Sequence, residues 1–477
     1  MQEINLDTVQ KIYFVGIGGI AMSATAGIAK AKGFECFGSD EHVYSPSLEV
    51  LQSHDIDFFR KFSEENIKAT PADLYVVSAG VLETNPEYAY ILAQEFAVCS
   101  FPELLKGLAN DNIRIVVAGT HGKSTTTGML GATLNRIEDS SFMSGGVLVG
   151  LESNFAVGEG NYFVFEGDEY KSRSDDPTPK FHYYKPDLLV LTNLEYDHPD
   201  MFSTPEQLED EFEHLLANLP DDGVVIFNAD DAALERLVFR SGRPGFSYGT
   251  DPAANVRIVS ATTTPEGTII DIHVKFNETE TTEKYATQLY GEMNVYNALA
   301  VVTLLRALGF TPELIAQHLV GFKGIKRRFE VLGEAKGVTV VDDYAHHPTA
   351  VVATLAAARK RFAGKRVWAV FEPHTFSRTK ALREELASCF TEADRVLIAP
   401  IYAAREPKSL ASSISNKEIV ADIISRDISL KGDAVRIVES KENALDILKS
   451  EAKPGDVVIV MAVGDFNTLG KELLEVL

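Results

Sequence analysis

The hexapeptide Gly119-Thr120-His121-Gly122-Lys123-Ser124 ends in the Gly-Lys-Ser order of a phosphate-gripping loop. In such a loop backbone N–H groups cradle phosphate oxygens, the lysine sets a point charge beside the β- and γ-phosphates, and the hydroxyl ligates Mg2+. The spacing departs from the usual G-x-x-x-x-G-K-[ST], since the position five before Gly122 is Val117. A second glycine loop stands about a hundred residues earlier. Gly16-Ile17-Gly18-Gly19-Ile20-Ala21 fits G-x-G-x-x-G/A, and Asp40 stands roughly where a ribose-binding acid is expected. Glycine there lets the backbone approach a diphosphate at a helix N-terminus. NAD and other nucleotide diphosphates satisfy that pattern equally.

A Mg2+ loop needs carboxylate or imidazole company. Glu166, Asp168 and Glu169 follow the apolar run YFVF, and Glu195, Asp197 and His198 follow DLLVLTN. His346-His347 and Glu372-Pro373-His374 are further polar groups closing apolar runs. In open α/β sheets the carboxyl ends of the strands are where ligands bind.

The elements that must position these residues alternate along the chain. KIYFVGI (11–17), FECFGSD (34–40) and ADLYVVSAG (72–80) read as strands, with a helix over 21–33 ended by Gly33. RIVVAG (114–119) restarts the pattern, followed by strands at 162–169, 187–193 and 223–230. Residues 255–290 alternate like antiparallel strands around a Pro-Glu-Gly turn. A third restart at GVTVVDDYAHHPTA (337–350) leads to KRVWAVFEPHT (365–375), DRVLIAP (394–400) and DVVIVMAVGDF (456–466). This is an α/β chain of three units, each with a parallel sheet.

Composition bounds the partners. The chain has 477 residues, 45% of them hydrophobic, and a formal net charge of −24. That length predicts two to four domains. The acidity argues against nucleic acid or an anionic membrane as partner. Cys36, Cys99 and Cys389 are scattered and suggest neither a disulfide framework nor a thiolate metal site, so a reducing cytoplasm is expected. No apolar run of eighteen residues or cleavable leader is apparent, and no membrane insertion is expected.

Strand-GIGGIAMS, AGTHGKSTTTGM, FEGDEY, LTNLEYDH, GEMNVYNALA, KRRFE and VDDYAHHPTA occur in the order seen in the Mur ligases, and nearly the whole chain resembles that family. The resemblance implies a Rossmann-like UDP-binding domain (1–108), a central ATP-binding P-loop domain (109–325) and a C-terminal Rossmann-like domain (326–477) that receives an amino acid. ATP would phosphorylate the lactyl carboxylate of UDP-N-acetylmuramate, and an amine would attack the acyl phosphate, in peptidoglycan precursor synthesis. By the same carry-over, Gly16, Gly18, Gly19, Ile20, Asp40, Ser78 and His121 would hold the UDP-sugar. Gly119, Thr120, Gly122, Lys123, Ser124 and Thr125 would grip ATP. Asn294 and Asn297 would contact adenine, Arg328 the phosphates and Asp343 the ribose. Ser124, Glu166 and His198 would ligate Mg2+, and His347, His374 and Arg378 would receive the amino acid. Lys123, Glu166, His198 and His347 would carry the chemistry.

Met293 stands where the family usually has histidine, and residues 199–220 lack the lysine that several relatives carbamylate. The segment EYKSRSDDPTPKFHYYKPDLLVLTNLEYDHPDMF resembles in its spacing the branch that adds the tripeptide L-Ala-γ-D-Glu-meso-diaminopimelate, whereas FEPHTFSRTKAL and IYAAREP resemble the branch that adds L-alanine. L-Alanine is the expected acceptor, because the third domain chooses it, and the tripeptide is the alternative. A monomer or weak homodimer is expected. A nicotinamide oxidoreductase would use the first loop but leave GTHGKS and both acid clusters without a task. A non-catalytic nucleotide-binding module and a folylpolyglutamate-forming ligase are the remaining alternatives.

Overall fold

The structure, a computed structural model, describes residues 4–197, 201–276, 279–404, 406–426, 430 and 432–477. Among the described residues three large sheets follow one another along the chain, and a separate two-stranded sheet pairs Lys171–Arg173 with Asp176–Pro179. The first runs Asp57–Phe59, Glu35–Ser39, Lys11–Val15, Leu74–Val77, Val98–Cys99, parallel throughout. Its central strands are buried almost end to end, as helices covering both faces of a parallel sheet require. Local chemistry sets the helix starts. Asn85 caps the helix Pro86–Ala93 through the Glu87 and Tyr88 N–H groups, and Ser100 with Glu103 forms a capping box on Phe101–Leu108.

Among the described residues the second sheet has ten strands. Its parallel centre carries Leu188–Leu191, Ile113–Ala118 and Tyr162–Gly167 side by side, with Ala118 opposite both Leu191 and Gly167. That register makes the phosphate loop, Thr192–Asn193 and Asp168–Glu169 emerge together at one edge. The 255–290 region forms three antiparallel strands, Val256–Thr264, Gly267–Phe276 and Thr279–Thr287, which extend the same sheet. The single Pro-Glu-Gly turn expected within 255–290 joins the first two of them, and the third follows in the same region. Beneath the sheet the helices Lys123–Glu138 and Glu292–Ala307 pack into one apolar core, where each fully buried Leu or Ile contributes about 1.5–3 kcal/mol.

The third sheet runs Glu330–Ala335, Val338–Asp343, Val457–Met461, Val367–Phe371, Arg395–Ile398, Val435–Ile437. The first strand, not anticipated from the sequence, is an antiparallel edge. Asp343 and Phe371 both pair with Met461, so Tyr344–His347 and Glu372–Arg378 leave the sheet at one end. Among the described residues no helix is long and apolar enough to cross a membrane.

Candidate active site

The strand Ile113–Ala118 delivers the chain into a loop whose shape needs glycine twice. Gly119 sits at φ 136°, where a Cβ would lie 2.1 Å from Thr192 Oγ1, and Gly122 at φ 81°, where it would lie 2.4 Å from Asn297 Oδ1. Gly122 then starts the helix Lys123–Glu138 with no side-chain cap, so that helix end is open to an anion. The strand Leu188–Leu191 clamps the loop from behind. Thr120 Oγ1 donates to the Glu195 carbonyl, and the His121 N–H to Asn193 Oδ1 at 2.8 Å; Asn193 Nδ2 returns a bond to the His121 carbonyl. The cradle is therefore preformed.

Lys123 spends all three donors locally, on the Gly119 carbonyl (2.6 Å), the Thr120 carbonyl (3.2 Å) and Glu169 Oε2 (2.9 Å). Burial would lower its pKa, but Glu169 and Asp168 outweigh burial and hold the ammonium above its ordinary value. Ser124 Oγ donates to Glu166 Oε1 at 2.8 Å, and the Gly145 N–H to Glu166 Oε2 at 2.6 Å. Burial and the nearby Asp168 push the Glu166 carboxyl up, partly offset by Lys123 and those two bonds. The hydroxyl of Ser124 and the carboxylate of Glu166 form an oxygen donor set at a helix N-terminus, which suits Mg2+. His198, the third expected ligand, lies outside the described residues.

The third sheet closes over this edge. Thr349 Oγ1 donates to Glu195 Oε1 at 2.7 Å, while Glu195 Oε2 lies 2.9 Å from His121 Nε2 and 4.0 Å from His347 Nδ1. Burial would raise the Glu195 carboxyl, yet hydrogen bonds from His121 and Thr349 leave it below its usual range. Burial and the neighbouring His121 lower His347. Its Nδ1 caps the helix Pro348–Arg361 through the Thr349 N–H, and its buried Nε2 has no hydrogen-bond partner among the described residues. Beside it, Arg378 Nε donates to Asp197 Oδ1 at 2.8 Å and Nη1 to His374 Nδ1 at 2.7 Å. Arg378 and Asp197 are both buried. The His346 ring lies tilted against that of His374, and His346 is driven well below its ordinary pKa by burial and by Arg378.

One pocket lies between the central and C-terminal units. Gly122, Ser124, Asn297, Arg328, Asp343 and Thr354 line it, together with Thr125 and Asn294. Within it Asn297 accepts from Thr126 Oγ1 (3.1 Å) and donates to Asn294 Oδ1 (3.1 Å), so the two amides brace the helix that follows the loop. Asp343 accepts the N–H groups of Phe329 and Ala345, and Arg328 lies over the Tyr344 ring at 4.8 Å.

The first glycine loop is as tightly built. Gly16 has φ 85°, and a Cβ there would meet Ser78 Cβ at 2.8 Å and Val81 Cγ2 at 3.0 Å. At Gly18 the obstacle is space: a Cβ would lie 2.7 Å from the His42 carbonyl and 2.9 Å from Asp40 Oδ2. Asp40 accepts the N–H groups of Gly18 and His42, so its carboxylate fastens the loop, a task the ribose expectation did not include. Gly19 precedes the helix Ile20–Ala31, which has no side-chain cap, and Ile20 is 43% exposed. Of the expected UDP-sugar residues, His121 stands apart, at the meeting of the central and C-terminal units beside Glu195 and His347. Glu169, Glu195 and Asp197 were visible in sequence as strand-end acids, but their partners were not.

Three family models match in succession: the Mur ligase family catalytic domain over residues 11–112, the Mur ligase middle domain over 117–305, and the Mur ligase glutamate ligase domain over 327–464. The UDP-N-acetylmuramate–L-alanine ligase of Lachnospira eligens is 34% identical over 477 residues, covering 100% of both chains. The chain belongs to the Mur ligase family. Among solved structures, a murein peptide ligase from Psychrobacter arcticus is 26% identical with a TM-score of 0.73, covering 98% of each chain. The UDP-N-acetylmuramate–alanine ligase of Thermotoga maritima, 23% identical, shares the Mur ligase fold with a TM-score of 0.77 over 98% of each chain.

Proposed function

We propose that this Mur ligase joins the lactyl carboxylate of UDP-N-acetylmuramate to the amine of L-alanine, converting ATP to ADP and phosphate. The observation that carries the reading is the pair of separate, preformed anion cradles, with the C-terminal His347–Arg378 group closed over the second. We take residues 1–108, 109–325 and 326–477 as the UDP-sugar, ATP and acceptor units. Curated relatives named for L-alanine match at full length with 31–34% identity, which favours that acceptor. The murein peptide ligase likeness keeps the tripeptide as the second reading.

In this account the first loop holds the UDP diphosphate through backbone N–H groups at the helix Ile20–Ala31. Gly119 to Thr125 hold the ATP phosphates, and Lys123 shifts from its carbonyl partners to the transferring phosphoryl group, whose developing charge it offsets. Asn294, Asn297 and Asp343 wall the nucleoside pocket, and Arg328 adds charge from the C-terminal side. Ser124 and Glu166, with His198, would hold Mg2+, which would act as a Lewis acid toward the phosphate oxygens. His347 Nε2 is kept for the incoming amino acid, whose carboxylate Arg378 and His374 receive. The nucleotide-linked substrate places the reaction in the cytoplasm. Phosphate release with UDP-N-acetylmuramate, ATP and Mg2+ tests the reading: L-alanine should give a higher kcat/KM than glycine, L-serine or the tripeptide. Preference for the tripeptide would reverse the acceptor assignment.

A further inference from the structure

The two cradles are joined by a physical route that neither one needs for its own ligand. After the strand Tyr162–Gly167 the chain leaves the central sheet and forms a two-stranded hairpin, Lys171–Arg173 with Asp176–Pro179. The hairpin reaches the N-terminal unit at three points. Ser174 Oγ donates to the Val81 carbonyl at 2.6 Å, Tyr88 Oη donates to Asp175 Oδ2 at 3.0 Å, and Arg173 lies 3.6 Å from Glu103. Val81 is the residue whose side chain stands against Gly16 in the first glycine loop. At its root the hairpin is anchored by the buried Lys180 paired with the partly exposed Asp168, at 3.0 Å. Between root and strand end sits Glu169, 4% exposed, holding Lys123 at 2.9 Å. A displacement of the first loop thus has packed, hydrogen-bonded neighbours all the way to the phosphate lysine.

We propose that this hairpin is a strap that couples the two ligand sites, and that Glu169 is the positioning residue through which it sets Lys123. The proposal rests on the reading of the first loop as the UDP-sugar cradle and the second as the ATP cradle. Glu169 gives Lys123 a counter-ion inside a buried loop, so the lysine stays charged and pointed at the cradle; the nucleotide must compete with it. A sugar nucleotide that settles the Gly16 loop also settles Val81, the strap and Glu169. The ordering cost is then met once, and the second ligand binds more tightly.

The test is calorimetry on the full chain with Mg2+, titrating a non-hydrolysable β,γ-imido analogue of ATP with and without saturating UDP-N-acetylmuramate. In the wild type the sugar nucleotide should tighten the analogue by about fivefold or more, within the ordinary range of coupling between sites. The double variant Ser174→Ala/Asp175→Ala should bind each ligand alone within about twofold of wild type while the coupling falls to within about twofold of none. Glu169→Gln keeps the shape and removes the competing charge; the KM for ATP should fall while kcat drops about tenfold or more. If wild type binds one ligand and not the other, the functional reading fails and the strap fails with it. If both bind and coupling is missing from wild type, or survives in the double variant, the strap alone is wrong. A Glu169→Gln enzyme with raised KM and unchanged kcat would make Glu169 merely structural.

Discussion

Arg378→Ala should damage L-alanine use far more than ATP use. In the structure its guanidinium makes charge-assisted bonds to Asp197 at 2.8 Å, out of solvent, and to His374 at 2.7 Å, partly buried. Both bonds come from a cationic guanidinium, and truncating one partner of a buried hydrogen-bonded charge pair costs about 2–5 kcal/mol. Truncation should therefore cost about 2–5 kcal/mol of acceptor positioning, which corresponds to roughly 30- to 5,000-fold in kcat/KM for L-alanine. Asp197 loses its buried cation at the same time, so the contact between the central and C-terminal units weakens too. Arg378→Lys keeps the charge but loses the planar fork that meets Asp197 and His374 together, and should recover only part of the loss. The assay is steady-state phosphate release across L-alanine concentrations at saturating ATP and UDP-N-acetylmuramate, with thermal melting as the fold control. A kcat/KM for L-alanine within about threefold of wild type would refute the assignment of Arg378 to the acceptor.

Gly119→Ala should abolish measurable ATP binding, since its Cβ would sit 2.1 Å from Thr192 Oγ1 and 2.8 Å from the Asn193 carbonyl at a φ of 136°; calorimetry with ATP checks it, and retained affinity would contradict the rigid-cradle argument. Asp456 is 4% exposed and accepts from Arg366, Trp368 Nε1 and the Lys453 N–H. Burial would raise its pKa, but the Arg366 bonds and the others hold it below the usual value. Its stabilisation is thus present above the unfolded carboxylate pKa near 4 and is lost as pH falls through the lower folded value. Asp456→Asn should lower stability by about 1–3 kcal/mol at pH 7 and flatten the acid limb of the melting-temperature profile; an unchanged acid limb would contradict this.

Much of the fold was legible because each unit repeats one local rule, an apolar strand followed by a helix, with a glycine turn between them in the first two units. Gly16, Gly119 and Gly122 were readable for the same reason, since their positive φ values demand a residue without Cβ. The edge strand Glu330–Ala335 was not, because a polar, half-exposed strand carries little hydrophobic signal. The site's pairings were hidden for a different reason. Asp197 meets Arg378 and Glu195 meets Thr349 only after the third sheet has closed on the second, over 181 and 154 residues of sequence. Likewise, nothing local in Asp40 or Asn297 tells whether the side chain serves a ligand or the loop beside it. Asp40 is bound to its loop here, and Asn297 to Thr126 in the helix that follows the phosphate loop.

The central claim is that the two cradles serve two different ligands. Its most direct test is calorimetry of UDP-N-acetylmuramate and of ATP with Mg2+ on two variants of the full chain. Lys123→Ala removes the ammonium that Glu169 holds in the second loop, while Gly18→Val forces a branched side chain against the His42 carbonyl in the first. The account predicts that Lys123→Ala keeps UDP-N-acetylmuramate affinity within about threefold and loses ATP affinity by at least about tenfold, and that Gly18→Val does the reverse. Equal damage to both affinities in a folded Gly18→Val protein, or a large loss of UDP-N-acetylmuramate binding in Lys123→Ala, would contradict it.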